Sequence, residues 1–298
     1  MRVFLTGATG FVGSAIIKDL TANGHEVVGL ARSDEGAAAL EARGVAVHRG
    51  ELTDVDSLKA GAAAAEGVIH CAFIHDFTRF QESAQIDRAA VEAMLGALEG
   101  SGKPFVLTSG TGAATPGRMA VEADDPPSEG FAALRGGTET VVKDAAGRGV
   151  RTSIVRLPQV HGRGGGGFVK FAIEIAREKG WAFTVSDGEN RWPAAHVNDV
   201  ARLYRLALEK AQPGARFHAV AEEGIATAEI AETIGWGLGL PVRRLTPEEA
   251  PGELGFLGMF AGFDIPASSA WTRKTLGWTP VEPELIPQLR DRSMGYFG

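Results

Sequence analysis

The chain has 298 residues, 44% hydrophobic and 22% charged, with a formal net charge of −7 and a single cysteine, Cys71. This is the make-up of a globular protein with room for one nucleotide-binding domain and a smaller appended unit. It argues against a nucleic-acid partner, an internal disulfide or a bilayer-spanning segment, and with strand-forming residues from position 2 a signal peptide is not expected and a cytoplasmic location is.

Residues 2–5 form an apolar run that stops at Gly7, Gly10 and Gly13, and a helical stripe of Val12, Ala15, Ile16 and Leu20 follows. The pattern predicts strand, tight turn and helix. At such a junction Gly7 lets the chain turn, Gly10 leaves the backbone bare for a pyrophosphate, and Gly13 lets the helix lie close to the sheet. The phosphates would sit on the helix's first amides. No Lys follows Gly13, which argues against a nucleotide triphosphatase.

Asn23-Gly24 breaks the helix, and residues 25–32 read as a second strand ending Leu30-Ala31-Arg32-Ser33. At this place an acidic residue bonds the ribose of NAD and a basic one accommodates the 2′-phosphate of NADP. Arg32 and Ser33 therefore favour NADP. Asp34 leaves NAD open, since it either repels that phosphate or merely caps the next helix.

Further strands are expected at 45–47, 67–70, 105–108 and 152–156, separated by helices with apolar spacing at Ile86, Ala90, Ala93, Met94 and Ala97 and at Leu134, Val141, Val142 and Ala145. The alternation gives an α/β fold with a doubly wound parallel sheet. His161-Gly162-Arg163 and the glycines at 164–167 read as the crossing into a substrate region, the glycines being a mobile lid or a permissive linker. The stripe Val197, Val200, Ala201, Tyr204, Ala207 and Leu208 is again helical, 217–220 reads as a further strand, and prolines punctuate the chain from Ile225 on. The expected division is a dinucleotide domain of 1–160 and 183–222 and a smaller, mostly helical substrate-binding region of 161–182 and 223–298.

Four segments carry a resemblance. Thr6-Gly7-Ala8-Thr9-Gly10-Phe11-Val12-Gly13, Gly50-Glu51-Leu52-Thr53-Asp54, Arg156-Leu157-Pro158-Gln159-Val160-His161-Gly162 and His196-Val197-Asn198-Asp199-Val200-Ala201 occur in this order. They resemble the T-G-x-x-G-x-x-G, G-D-L-x-D, R-P-x-x-V-Y-G and V-H-V-x-D-V-A of the extended and atypical branch of the short-chain dehydrogenase/reductase superfamily, which includes nucleotide-sugar epimerases and dehydratases. The resemblance runs from residue 1 to about 208 and implies a Rossmann-type domain. It implies cofactor contacts at Gly7, Thr9, Gly10, Phe11, Val12, Gly13, Arg32, Ser33, Glu51, Leu52, Cys71, Ala72, Phe73, Arg135, Leu157 and Val160, with Glu51 in place of the family's adenine-contacting Asp.

The departure is at the chemistry. Phe131 and Arg135 stand where the family has the Tyr and Lys of Y-x-x-x-K, one turn apart on one helical face, and a phenyl ring has no proton to give. The pattern is similar to an atypical subgroup with H-x-x-x-R, here without the His. The only tyrosines, Tyr204 and Tyr296, are far from this segment in sequence.

Ser109 or Thr111 remains to polarise a carbonyl, and Arg135 to hold the nicotinamide ribose or an anionic oxygen. His75, with its pKa raised by Asp76, or His161, at the mouth of the cleft, remains to supply a proton. Each has a plainer reading as a packing or surface residue, His196 reads as structural, and Cys71 as a small buried residue beside the cofactor. Arg191 is a candidate clamp for an anionic group and Trp192 for stacking on a ring. The leading expectation is an NADP-dependent oxidoreductase with a small-molecule substrate and no metal. The alternatives are a nucleotide-sugar epimerase or dehydratase, a flavin or quinone reductase, and a non-catalytic NADP(H)-sensing regulatory protein. The resemblance also suggests a homodimer through helices at 81–98 and 131–145.

Overall fold

The computed structural model of the chain describes all residues but 114–116, 130 and 164, and the backbone alone of 77, 113, 131 and 132. In chain order the first half comprises β1 (Arg2–Thr6), α1 (Phe11–Ala22), β2 (Glu26–Ala31), α2 (Asp34–Glu41), β3 (Ala46–Arg49), α3 (Val55–Ala63), β4 (Gly67–His70), α4 (Phe80–Leu98), β5 (Pro104–Gly110), α5 (Phe131–Ala145) and β6 (Arg151–Leu157). The second half comprises β7 (Gln159–His161), α6 (Gly167–Lys179), β8 (Ala182–Val185), β9 (Arg191–His196), α7 (Val197–Lys210), β10 (Ala215–His218), β11 (Glu222–Ala226), α8 (Thr227–Leu238), β12 (Val242–Leu245), α9 (Ala250–Leu254), α10 (Ala270–Leu276) and α11 (Leu285–Arg290).

Seven strands form one parallel sheet in the order β10-β6-β5-β4-β1-β2-β3. Side chains alternate across it, as strand geometry requires. Val3 and Leu5 face Ile16, Leu20, Val200 and Tyr204 of α1 and α7. Phe4, Phe105 and Leu107 face Leu58, Val91, Leu95 and Val142 of α3, α4 and α5. With both faces covered, the central strands β1 and β4 are buried along nearly their whole length. The strand order reverses between β1 and β4, and at such a point the diverging loops leave a crevice.

A second core gathers Val169, Ile173, Val185, Trp192, Ile225, Ile230, Ile234, Leu254 and Leu289. Around it lie a three-stranded sheet, β11-β9-β7, and a parallel pair, β12-β8, in addition to the helices expected there. β7 is three residues long, between Pro158 and the glycines, too short to show as a periodic run. Packing takes Ala182 to Val185, with Trp192 and Ala194, into the second core, so 183–194 sits apart from the α7 and β10 segments of the expected 183–222 block. The expected strands at 45–47 and 217–220 lie at 46–49 and 215–218. Among the described residues no helix is long and apolar enough to cross a membrane.

Candidate active site

The crevice begins where β1 turns into α1. Gly7 has φ +69°, and a Cβ there would lie 2.8 Å from the Ala72 nitrogen; a Cβ on Gly13 would lie 2.1 Å from the Gly7 oxygen. The chain turn and the close helix approach thus both exclude side chains. Gly10 is the N-cap of α1 and no side chain caps the helix, so its leading N–H groups remain available to an anion.

A cleft of about 760 Å³ extends from this cradle. Its walls are Gly7, Thr9 and Gly10, then Arg32 and Ser33 after β2, Glu51 and Leu52 after β3, and Cys71, Ala72, Phe73 and His75 after β4. Its size suits a dinucleotide-scale ligand, and the bare glycine cradle with an uncapped helix end fits a pyrophosphate. The other expected contacts lie outside its walls. Gly13 and Val160 are buried, Val12 packs against the first core, and the Phe11 ring lies against Gly162 and Gly166, where a Cβ on either would meet it. Leu157 uses its carbonyl to accept from the Thr111 hydroxyl at 3.3 Å.

At the β2 end the helix cap is Ser33, whose Oγ accepts from Gly36 N at 3.1 Å. Asp34 therefore does not cap α2. It pairs instead with Arg49, Nη2 to Oδ1 at 2.7 Å, and Arg49 also donates to the Ser33 carbonyl. The acid that would repel a 2′-phosphate has a cation of its own.

The β4 end carries a buried network with no counterpart among the residues expected from sequence. Thr6 Oγ1 accepts from Cys71 N and Ala72 N, both at 3.1 Å, so its own proton goes to His70 Nδ1 at 2.9 Å. His70 Nε2 then carries the hydrogen and donates to Asp87 Oδ1 at 3.2 Å. Thr138 donates to Asp87 Oδ2 at 3.3 Å. Arg135 Nη1 lies 3.6 Å from Asp87 Oδ1, its Nη2 donates to the Thr108 carbonyl at 2.8 Å, and its guanidinium stacks 4.0 Å from the centre of the Phe73 ring. Burial opposes ionisation of Asp87, but the Arg135 charge and the bonds from His70 and Thr138 hold its carboxyl below the usual carboxylate range. A signal was present in the sequence: Asp87 occupies the buried stripe of α4 with Ala84, Ala90, Val91 and Met94, where an acid needs a partner.

Behind Arg135 lies a tyrosine. Tyr204, distant in sequence, bonds Thr108 Oγ1 through its hydroxyl at 2.7 Å. Burial holds its pKa well above the ordinary value, so it is a poor proton donor. The Cys71 thiol, facing Thr108 and Tyr204, is also pushed up by burial. Cys71 is half-buried and lines the cleft. The Phe131 side chain, at the position of the family's Tyr, lies outside the described residues. Ser109 and Thr111 are both buried, and Ser109 Oγ has no hydrogen-bond partner among the described residues.

The histidines separate. His75 lines the cleft, and its ring meets Phe73 edge-on at 5.4 Å. Its pKa is lowered, by burial first and by Arg135 second, and not raised by Asp76. The Asp76 carboxylate is taken up by Thr78 and Arg79. His161 is 1% exposed and lies within the second unit, not at a cleft mouth. Its Nδ1 bonds Gln288 Oε1 at 2.5 Å, and Gln288 also accepts from the Tyr296 hydroxyl. His196 caps α7 by accepting from Asn198 N.

On the substrate side Arg191 is paired with Asp264. Its Nε and Nη2 donate to Asp264 at 3.1 and 2.9 Å, and its backbone N donates to the same carboxylate at 2.8 Å. Trp192 is buried and meets Phe168, which packs 4.5 Å from Phe260. Ile265 approaches Gly112, just past the β5 hydroxyls, to 4.0 Å from where a Cβ would be. Gly164 of the expected lid lies outside the described residues, and the Gln159 side chain holds Gly166 and Phe168.

Comparison with known proteins agrees with this architecture. The sequence pattern of the NAD dependent epimerase/dehydratase family matches residues 3–220. The chain is 45% identical to an uncharacterised protein of Saccharomyces cerevisiae over 97% of this chain and 98% of that one. It is 28% identical to the 4-hydroxy-2-methyl-3-oxo-4-farnesyl-3,4-dihydroquinoline-1-oxide ketoreductase of Stigmatella aurantiaca, over 72% of this chain and 66% of that protein. Its fold is similar to that of a dTDP-glucose 4,6-dehydratase from Streptomyces venezuelae solved with NAD bound, with a TM-score of 0.80, 17% identity and coverage of 100% and 97%.

Proposed function

The chain belongs to the NAD-dependent epimerase/dehydratase family, and from that premise we propose that it is an NADP-dependent oxidoreductase that reduces a small, uncharged carbonyl compound. The observation that carries the reading is the continuous cleft that runs from the glycine cradle past Arg32 and Ser33 to Phe73 and His75. When bound, the dinucleotide supplies the hydride. Arg32, with Asp34 neutralised by Arg49, supports a 2′-phosphate and hence NADP over NAD. Arg135 holds the nicotinamide ribose by its permanent charge. Ser109 is the candidate donor to the carbonyl oxygen: its hydroxyl, buried just past the cleft walls, has no hydrogen-bond partner among the described residues. The proton comes from water, directly or relayed by His75, which takes one from solvent at one ring nitrogen as it gives one from the other.

The pairing of Arg191 with Asp264 favours an uncharged substrate over a nucleotide sugar, because a diphosphate would have to displace a carboxylate already bonded three times. The relation to a ketoreductase supports the same choice. Phe131 at the family's Tyr position supports one second reading, a protein that binds NADP(H) without turning it over. The homodimer through α4 and α5 remains part of the proposal.

Loss of NADPH absorbance against aldehydes, ketones, quinones, free flavin and nucleotide sugars, in wild type and Phe131→Tyr, tests these readings. Turnover of aldehydes or ketones by wild type is expected. Turnover of a nucleotide sugar alone would overturn the substrate class, and tight NADPH binding with turnover only after Phe131→Tyr would establish the binding protein.

A further inference from the structure

Asp87 is 1% exposed and does not line the cleft, yet it is the carboxylate beside Arg135. Three features fix it. His70 and Thr138 each bond a different oxygen, so the carboxylate cannot rotate. The Thr6 hydroxyl, with both lone pairs occupied by Cys71 and Ala72 amides, sets the His70 tautomer that donates to Asp87. Helix register places Arg135 and Thr138 three residues apart on α5, on the face that meets α4. The guanidinium is consequently held on three sides, by Asp87, by the Thr108 carbonyl and by the face of Phe73, which itself lines the cleft.

We propose that Asp87 is a positioning residue for the cofactor: held by His70 and Thr138, it aims the Arg135 guanidinium at the nicotinamide-ribose half of the cleft. The proposal rests on the reading of Arg135 as the ribose-holding residue. An unpaired arginine has many rotamers and spends its charge on solvent; one tethered to a buried carboxylate meets a ribose hydroxyl already oriented. Asp87 touches neither cofactor nor substrate, and its effect passes through Arg135.

The test is a double-mutant cycle on NADPH affinity, measured by nucleotide fluorescence with Arg135→Gln, Asp87→Asn and the double variant, each checked for an unchanged melting transition. Arg135→Gln is expected to weaken NADPH about tenfold and Asp87→Asn about fivefold. The double variant should bind no more weakly than Arg135→Gln alone. The same variants are titrated with 2′,5′-ADP, or with ADP should NADH bind in place of NADPH; this fragment has the adenosine half and lacks the nicotinamide ribose. Its affinity should not change, whereas a merely structural role would lower both. If Asp87→Asn fails to fold, Thr138→Val, which removes one bond and leaves the charge, should weaken NADPH about twofold and spare the fragment. Additive losses in the double variant, equal losses for fragment and dinucleotide, or no loss in Asp87→Asn while Arg135→Gln binds weakly would each overturn the proposal alone. An Arg135→Gln variant that binds NADPH normally would overturn the ribose-holding reading itself, and the proposal with it.

Discussion

Arg156 and its neighbour Arg216 live in surroundings opposite to those of Arg135. Arg156 on β6 is fully buried, grips Glu139 through Nε at 2.9 Å and Nη2 at 2.7 Å, and gives Nη1 to the Asp124 carbonyl at 2.9 Å. Arg216 on β10 approaches the same Glu139 at 3.2 Å and donates to the Asp124 carbonyl at 2.6 Å. Arg135 has its acid at 3.6 Å, one carbonyl and one aromatic face, and a fifth of its side chain is exposed. An arginine fully buried with each nitrogen bonded to protein presents no donor to a ligand and serves as a clasp, here fastening the segment around Asp124 to the sheet. Arg135, with one direct hydrogen bond, a looser ion pair and part of its side chain exposed, keeps donors for something else.

The comparison is sharpened most by Glu139→Ala. It would leave two arginines facing each other in the interior, and removal of one partner from a buried ion pair costs about 3–5 kcal/mol. Urea unfolding should show a loss of that size, while the folded fraction binds NADPH with unchanged affinity. A large affinity loss in folded protein would break the distinction between clasp and working residue.

Next in size is a pH effect on the clasp side. His218 on β10 donates from Nδ1 to the Ser268 carbonyl at 2.8 Å, and its Nε2 is buried with no partner among the described residues. Burial brings its pKa down to about 4, so the ring is neutral in the folded chain. Below the unfolded value near 6.5 the unfolded chain takes up a proton that the folded chain refuses, and stability falls with pH through the window from 6.5 to 4. The slope attributable to this one ring is about 1.4 kcal/mol per pH unit. His218→Gln should remove that much of the acid sensitivity measured by urea midpoints. An unaltered slope would mean that the ring is charged in place, matched by Glu122 and Glu139.

The two sides also differ in how far sequence could reach them. The glycine cradle was legible because a 3-residue glycine spacing at a strand end has one steric meaning, and Gly7 and Gly13 each meet backbone where a Cβ would stand. Arg32, Glu51 and Phe73 were legible by their place at strand ends, which all open on the same crevice. The surroundings of His161 and Arg191 are not legible in the sequence, because they come from Gln288 and Asp264, over 70 residues away and outside any periodic pattern. Tyr204 is distant in sequence, yet α7 carries it to Thr108 on β5. Asp34 shows the same limit at short range: a first-turn acid and an N-cap look alike until Ser33 is seen taking the Gly36 amide.

The smallest expected effect tests the working side at its other end. Arg49 and Asp34 are solvent-exposed, and such a pair adds little to stability. Its consequence is in selectivity, since Arg49 cancels the charge that would repel a 2′-phosphate beside Arg32. Arg49→Ala should leave the melting transition in place and lower the preference for NADPH over NADH by roughly threefold at low salt. Added salt should shrink that difference, because screening weakens both the pairing and the repulsion. Arg32→Ala should act in the same direction and more strongly, through the direct loss of a phosphate partner. If Arg49→Ala shifted stability and left the NADPH-to-NADH ratio unchanged, the pair would belong with the clasp at Glu139, and the cleft would owe its selectivity to Arg32 and Ser33 alone.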